Sequence, residues 1–270
     1  MKVVLFCGGM GTRMRDFAPT TPKPLVHIGE RPLLWYIMNY YAHHGHREFV
    51  LCLGYGVEAF LTYFRQSGAV PMPTVAGDAV GHTFRLVDEW GDVLTVSLVD
   101  TGPLTSIGQR LKAVQRYVAG EPVFLANYAD GLSDAPLPDI VRVLEGRADT
   151  VGVMIAVRPT QSFHYLHHDH DGVVTGIEAG TGIDVRINGG FFAFRAEICD
   201  YLGDDDDLVE GAFDRLIGER RLLAFPYDGF WRACDTFKDV MALEAARLPE
   251  PAPWEVWRGE ATADRREAVG

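Results

Sequence analysis

The sequence predicts an α/β protein, a single domain in which helices flank a mixed, mainly parallel sheet. Three observations predict it. Short apolar, β-branched runs such as VVLFC (3–7) and PVFLANYADG (122–131) alternate with stretches of helical spacing, and strand–helix–strand alternation builds parallel sheets. The glycine-rich turn after the first run and Asp130-Gly131 after the other both fall at strand C-terminal ends, where open α/β sheets bind ligands. Neither a repeat nor a long linker interrupts the 270 residues, which suffice for one full core.

The elements follow in order. VVLFC is too short and too β-branched for a helix and reads as a buried strand. Residues 32–45 place Leu33, Ile37 and Tyr40 or Tyr41 at helical spacing, with Pro32 at the start and Gly45 at the stop. EFVLCLGY (48–55) reads as a strand and VEAFLTYFRQSG (57–68) as a helix, and a Gly/Pro-containing loop is expected over 68–83. VLTVSLVD (93–100) is a strand, 106–117 a helix, and PVFLANYADG the next strand. Further strands are expected at TVGVMIAV (150–157), GVVTGIEAG (172–180) and NGGFFAF (188–194), and helices at 195–202, 208–218 and 236–248. The domain is read as 1–248; PEPAP opens a charged tail, 249–270, that docks or frays.

A formal net charge of −12 disfavours a nucleic-acid partner, which needs a basic footprint. No run is long enough for a membrane span, and the N-terminus is unlike a signal peptide, so a cytoplasmic protein is expected. Cys7, Cys52, Cys199 and Cys234 are widely spaced without a CxxC pair, which argues for reduced core residues. Against the acidic background, residues 1–31 carry Lys2, Arg13, Arg15, Lys23 and Arg31 against Asp16 and Glu30, which suits a small anionic ligand.

That local excess coincides with GGMGTRM and PKP. Gly8, Gly9 and Gly11 lack the Cβ atoms that would hold a phosphate away from backbone N–H donors, and Arg13 and Lys23 add charge. The turn is not a P-loop, because no Lys occupies the required position, nor a dinucleotide fingerprint, because Met14 stands where the third glycine would fall. Only Lys2, Lys23, Lys112 and Lys238 among 25 cations are lysines, which makes a Lys fixed between two prolines notable as a compact charge for phosphate oxygens.

Read together with Asp130-Gly131, NGGFF (188–192) and DGFWRACDT (228–236), these motifs make the chain resemble the sugar nucleotidyltransferases over about 1–247. DTG (100–102) followed by Thr105, Gly108, Arg110, Leu111 and Lys112 is most similar to the glucose-1-phosphate cytidylyltransferase branch. The resemblance implies a Rossmann-like nucleotidyltransferase domain and a homo-oligomer. It implies attack of a sugar-1-phosphate oxygen on the α-phosphorus of a nucleoside triphosphate, CTP by preference, with release of pyrophosphate. Such chemistry needs positioning and charge neutralisation rather than a protein nucleophile. By the same resemblance Gly8, Gly9, Gly11, Thr12, Thr105, Gly108 and Asp130 hold the nucleotide. Arg13 and Lys23 neutralise its phosphates as the catalytic pair, Asp130 and Asp235 hold Mg²⁺, and Glu178, Arg186, Asn188 and Gly189 receive the acceptor.

Two departures bear on the substrates. Where the family commonly has Glu-Lys-Pro this chain has Glu178-Ala179-Gly180, so another cation, Arg186, Arg158 or Arg195, supplies the missing charge or the acceptor differs. Ile107 and Gln109 replace a Thr and a Gly in the loop expected to touch the base. UTP, GTP or dTTP, a cyclitol phosphate or phosphonate acceptor, and a noncatalytic nucleotide-binding regulator remain alternatives. His43, His44 and His46 are expected at a helix C-terminus and His164, His167, His168 and His170 in a loop, without metal-site spacing. Asp169-His170-Asp171 reads as a turn, and Asp204–Asp207 as a solvated helix cap.

Overall fold

In a computed structural model the described residues are 1–9, 21–73, 81–88, 90–160, 164–179, 185–248 and 250–258. The strands are β1 (Lys2–Phe6), β2 (His27–Ile28), β3 (Arg31–Pro32), β4 (Glu48–Leu53), β5 (Val70–Met72), β6 (Gly81–Val87), β7 (Val93–Asp100), β8 (Val123–Asn127), β9 (Gly131–Ser133), β10 (Gly152–Val157), β11 (His164–His168), β12 (Val174–Ala179), β13 (Ile187–Arg195), β14 (Leu222–Tyr227) and β15 (Trp231–Ala233). The α-helices are α1 (Leu33–His43), α2 (Val57–Gln66), α3 (Ile107–Val118), α4 (Leu137–Glu145), α5 (Asp214–Gly218) and α6 (Phe237–Ala246). Nine strands form one sheet in the order β14-β10-β13-β8-β1-β4-β7-β6-β5. Only β6 and β13 run against the rest, which makes the sheet mixed and mainly parallel, as expected.

The alternation of β1 explains its apolar run. Val3, Leu5 and Cys7 join a core on one face with α1, α2 and α4, while Val4 and Phe6 join a core on the other with α3, Phe192, Phe194 and Phe213. All four cysteines are free and buried. No helix among the described residues is long and apolar enough to cross a membrane.

Several local expectations are corrected. The region expected as a loop over 68–83 contains β5 and the start of β6, an edge hairpin whose half-exposed strands lack a continuous apolar run. His164–His168 is not a loop but β11, paired with β12 outside the main sheet. Residues 196–201 form a 3₁₀ helix, and 208–213 a π turn that leads into α5. The aspartate run does more than cap a helix. Lys112 pairs with Asp204 and Arg215 with Asp206, while Asp207 accepts from the N–H groups of Val209 and Ile107. In the segment read as a tail, Ala252, Trp254 and Trp257 are buried, with Trp254 edge-on to Tyr36.

One core-edge histidine carries a pH signature. Burial pushes the His46 imidazole down to about 4 from its ordinary 6.5. The folded state therefore holds the neutral ring while the unfolded chain takes up a proton below 6.5, so stability is lost as pH falls from there toward 4. Urea unfolding at pH 7 and pH 4.5 is expected to show a loss smaller by about 1–2 kcal/mol in His46→Gln than in the unsubstituted protein.

Candidate active site

The site forms at the C-terminal ends of β1, β8 and their neighbours. After β8 the chain makes a sharp turn. Asn127 Oδ1 accepts from the Ala129 N–H (2.7 Å), and Ala129 sits at φ +59°, a left-handed conformation costly for a residue with a Cβ. This turn delivers Asp130 to the start of β9. β9 pairs antiparallel with β15, Gly131 opposite Ala233, and the Cys234 N–H donates to the Asp130 carbonyl (2.7 Å). Residues 130 and 235 therefore lie at the same end of a two-stranded ribbon. Asp235 is not the helix cap, because Thr236 caps α6 in a capping box with Asp239.

Both carboxylates meet Lys23. Its ammonium donates to Asp130 Oδ2 (3.1 Å) and to Asp235 Oδ1, from a 3₁₀ turn (Lys23–Leu25) that the flanking prolines help to fix. The side chains of Lys23, Asp130 and Asp235 are 17%, 32% and 27% exposed, open enough to receive a ligand. Burial raises the Asp130 carboxyl above its ordinary value, against the lowering pull of Lys23 and with the Asp235 charge adding to the rise. Burial alone would lower the Lys23 ammonium, but the Asp130 charge and the Asp235 hydrogen bond outweigh it, so the ammonium is held above its ordinary value. Two carboxylates thus converge on one ammonium. Hard carboxylate oxygens fit a divalent cation that also engages phosphate.

The glycine turn divides in two. A Cβ on Gly8 would collide with the Arg110 guanidinium, whereas one on Gly9 would meet nothing within 4 Å among the described residues. Arg110 is 2% exposed and donates to the carbonyls of Leu53 (2.9 Å) and Gly8 (3.0 Å) and to the Thr101 hydroxyl (2.6 Å). It ties together the ends of β1, β4 and β7, and burial lowers the guanidinium from its ordinary value. In the sequence Arg110 stands out only within the family-like run at 105–112, because its separation of 102 residues from Gly8 leaves no local signal. Gly8→Ala is expected to cost about 1–3 kcal/mol in urea unfolding. Gly9→Ala should leave stability unchanged and raise the nucleotide KM if that open face receives phosphate.

The remaining expected residues disperse. Gly11, Thr12 and Arg13 lie outside the described residues. The space beside Gly108 is filled by backbone of Asp206 to Leu208, within 2.6–2.9 Å of a built Cβ, so its small size serves packing of α3. Thr105 Oγ1 donates to the Thr101 carbonyl (2.5 Å). Gln109 is consumed in the capping box with Ser106 and donates to the Asp204 carbonyl (3.2 Å). Asn188 donates to the Tyr128 hydroxyl (3.1 Å) and braces the Gly190 N–H, close to the Asp130 turn. Gly189 faces Ile155, and its carbonyl accepts from Trp231 Nε1 (2.8 Å). Glu178 lies in β12 opposite Tyr165.

Of the three substitute cations, Arg195 donates to the carbonyls of Thr150, Leu144 and Arg147. Arg186 turns toward the end of β14, donating to the carbonyls of Ala156 and Tyr227 and to both oxygens of Asp228 (3.0 Å each). Arg158 shares Asp228 (3.0 Å), giving two cations to one carboxylate at the strand ends. Arg186 and Asn188 thus engage different partners.

A charged cluster thus lies at the C-terminal ends of a mainly parallel sheet, the place where open α/β sheets bind ligands. Residues 2–211 match the nucleotidyl transferase family. The chain is 33% identical over 262 residues to the glucose-1-phosphate cytidylyltransferase of Salmonella typhi, covering 95% of this chain and all of that one. It is 24% identical to the mannose-1-phosphate guanyltransferase of Kluyveromyces lactis, over 90% of this chain and 63% of that one. The UTP-bound UGPase of Acinetobacter baumannii has a similar fold, with a TM-score of 0.63 at 14% identity over 95% of this chain and 97% of that one. The chain belongs to the nucleotidyl transferase family, and it is a nucleotidyltransferase enzyme.

Proposed function

We propose that this enzyme joins CTP to glucose-1-phosphate or a close analogue, giving a nucleotide-sugar and pyrophosphate, as a homo-oligomer with Mg²⁺ as cofactor. The observation that carries the reading is the convergence of Asp130 and Asp235 on Lys23. Asp130 and Asp235 would hold Mg²⁺, which when bound neutralises phosphate charge and aligns the triphosphate. Lys23 adds a fixed positive charge beside the same carboxylates and is placed to share it with phosphate oxygens. Gly9 leaves a face open for close approach of the nucleotide. Asn188, braced by Tyr128, offers amide polarity to acceptor hydroxyls, and Arg158 and Arg186, which meet at Asp228, are the cations offered to the acceptor phosphate in place of the absent Lys at 179.

Cytosine is favoured by the likeness to the Salmonella typhi cytidylyltransferase. The departure at 109 does not weigh against it, since the Gln109 side chain is engaged in capping α3. Turnover should be read as pyrophosphate release with glucose-1-phosphate and each of CTP, UTP, GTP and dTTP in competition. CTP is expected to win by at least about tenfold in kcat/KM, a difference of roughly 1.4 kcal/mol. Preference for another nucleotide would move the base assignment. No pyrophosphate with any nucleotide would overturn the acceptor, and nucleotide binding without turnover over a panel of sugar and cyclitol phosphates would leave only a binding role.

A further inference from the structure

Near its start β13 leaves the regular ladder. Between the pairs Met154–Phe192 and Ala156–Asn188, β10 supplies Ile155 alone while β13 supplies Gly189, Gly190 and Phe191. Such a bulge takes backbone groups out of the ladder and re-aims the side chains beside it. Gly189 and Gly190 are buried, so their backbone groups need partners from elsewhere. The Gly190 N–H donates to Asn188 Oδ1 (2.9 Å), and the Gly190 carbonyl accepts from the Tyr128 N–H (3.0 Å). The Gly189 carbonyl accepts from the indole N–H of Trp231 (2.8 Å).

This last bond reaches outside the main sheet. Trp231 opens β15, the strand that leads to Asp235, and it pairs across the ribbon with Ser133 on β9. Its indole nitrogen lies 3.6 Å from where a Cβ on Gly131 would stand, next in the chain to Asp130. The ring is half-buried and packs against the core. One side chain therefore spans from the ribbon that carries Asp130 and Asp235 at its end to the bulge that aims Asn188. We propose that Trp231 is a positioning residue for the acceptor, its N–H holding the Asn188–Gly190 bulge at a fixed offset from the two carboxylates. The inference rests on the reading of Asn188 as an acceptor contact. A shift of about 1 Å in an oriented group can cost about a hundredfold in rate, so a hydrogen bond away from the reacting atoms is enough to set acceptor use.

Trp231→Phe keeps an aromatic ring and removes the N–H; Trp231→Met is a second variant without the donor. With pyrophosphate release as readout, and CTP and glucose-1-phosphate varied in turn, both are expected to raise the acceptor KM by about tenfold or more and to change the nucleotide KM by less than about twofold. Phe64→Leu, at a fully buried ring stacked on Phe84 in β6, serves as a destabilised control in urea unfolding and should leave the acceptor KM unchanged. Because Trp231 acts through the bulge, Trp231→Phe made in an Asn188→Ala background should raise the acceptor KM no further. An unchanged acceptor KM in the Trp231 variants, an equal rise in Phe64→Leu, or additive rises in the double variant would overturn the positioning role. So would a nucleotide KM that rises as much as the acceptor's. Absence of turnover in the unsubstituted protein would instead refute the acceptor reading, and this inference with it.

Discussion

Lys23→Ala is expected to lower turnover by about a hundredfold or more, the scale of losing one preorganised electrostatic contact in an active site. The reason is specific to its position. Asp130 and Asp235 both pair with Lys23, so its removal takes away a positive charge that both carboxylates meet. Lys23 now opposes the upward push of burial on Asp130. Without it the Asp130 carboxyl should rise further, and the acid limb of the pH–rate profile should move to higher pH. Lys23→Arg keeps the charge but presents a planar fork to a site built around a compact ammonium, and should recover only part of the loss. A variant with normal kcat and an unmoved acid limb would remove Lys23 from the reaction.

Arg110→Ala should have the largest effect on stability, about 3–5 kcal/mol, because it leaves a cavity and strips partners from buried polar groups that close three strand ends. In a chain of this size that corresponds to a fall in melting temperature of about 6–15 °C. Arg110→Lys should restore little, since an ammonium cannot span the carbonyls of Gly8 and Leu53 and the Thr101 hydroxyl at once. The same arginine fills the space beside Gly8 and Gly54, so Gly8→Ala combined with Arg110→Ala should cost less than the sum of the two changes. Additive costs in urea unfolding would mean that the glycine is required for some other reason.

The buried half of this fold is written plainly in the sequence, because strands covered on both faces must be apolar and the runs VVLFC, FVLCL and VFLA are so. The parts that build the site are less visible. β9 and β15 are three residues each, too short to show any alternation, yet their pairing is what brings Asp130 and Asp235 together. β5 and β6 at the sheet edge carry exposed positions and turn residues, and so read as a loop. Asp130, Asp235 and Lys23 were recognisable as site candidates from motif and composition, but their convergence on one ammonium depends on contacts 107 and 212 residues apart. Gln109 shows the opposite case. Its departure from the family pattern looked like a change in base recognition, whereas in the fold the side chain completes a capping box that the Ser-x-x-Gln spacing at 106–109 already spells out.

The most direct test of the account is a calorimetric titration of Mn²⁺, standing in for Mg²⁺, into protein saturated with CTP and lacking an acceptor. The two-carboxylate site predicts binding of the metal that Asp130→Asn and Asp235→Asn each weaken by about tenfold or more, since Asn keeps the shape but loses the charge. Circular dichroism should show both variants folded. Unchanged metal affinity in both folded variants would contradict the site and would place the cation elsewhere in the protein.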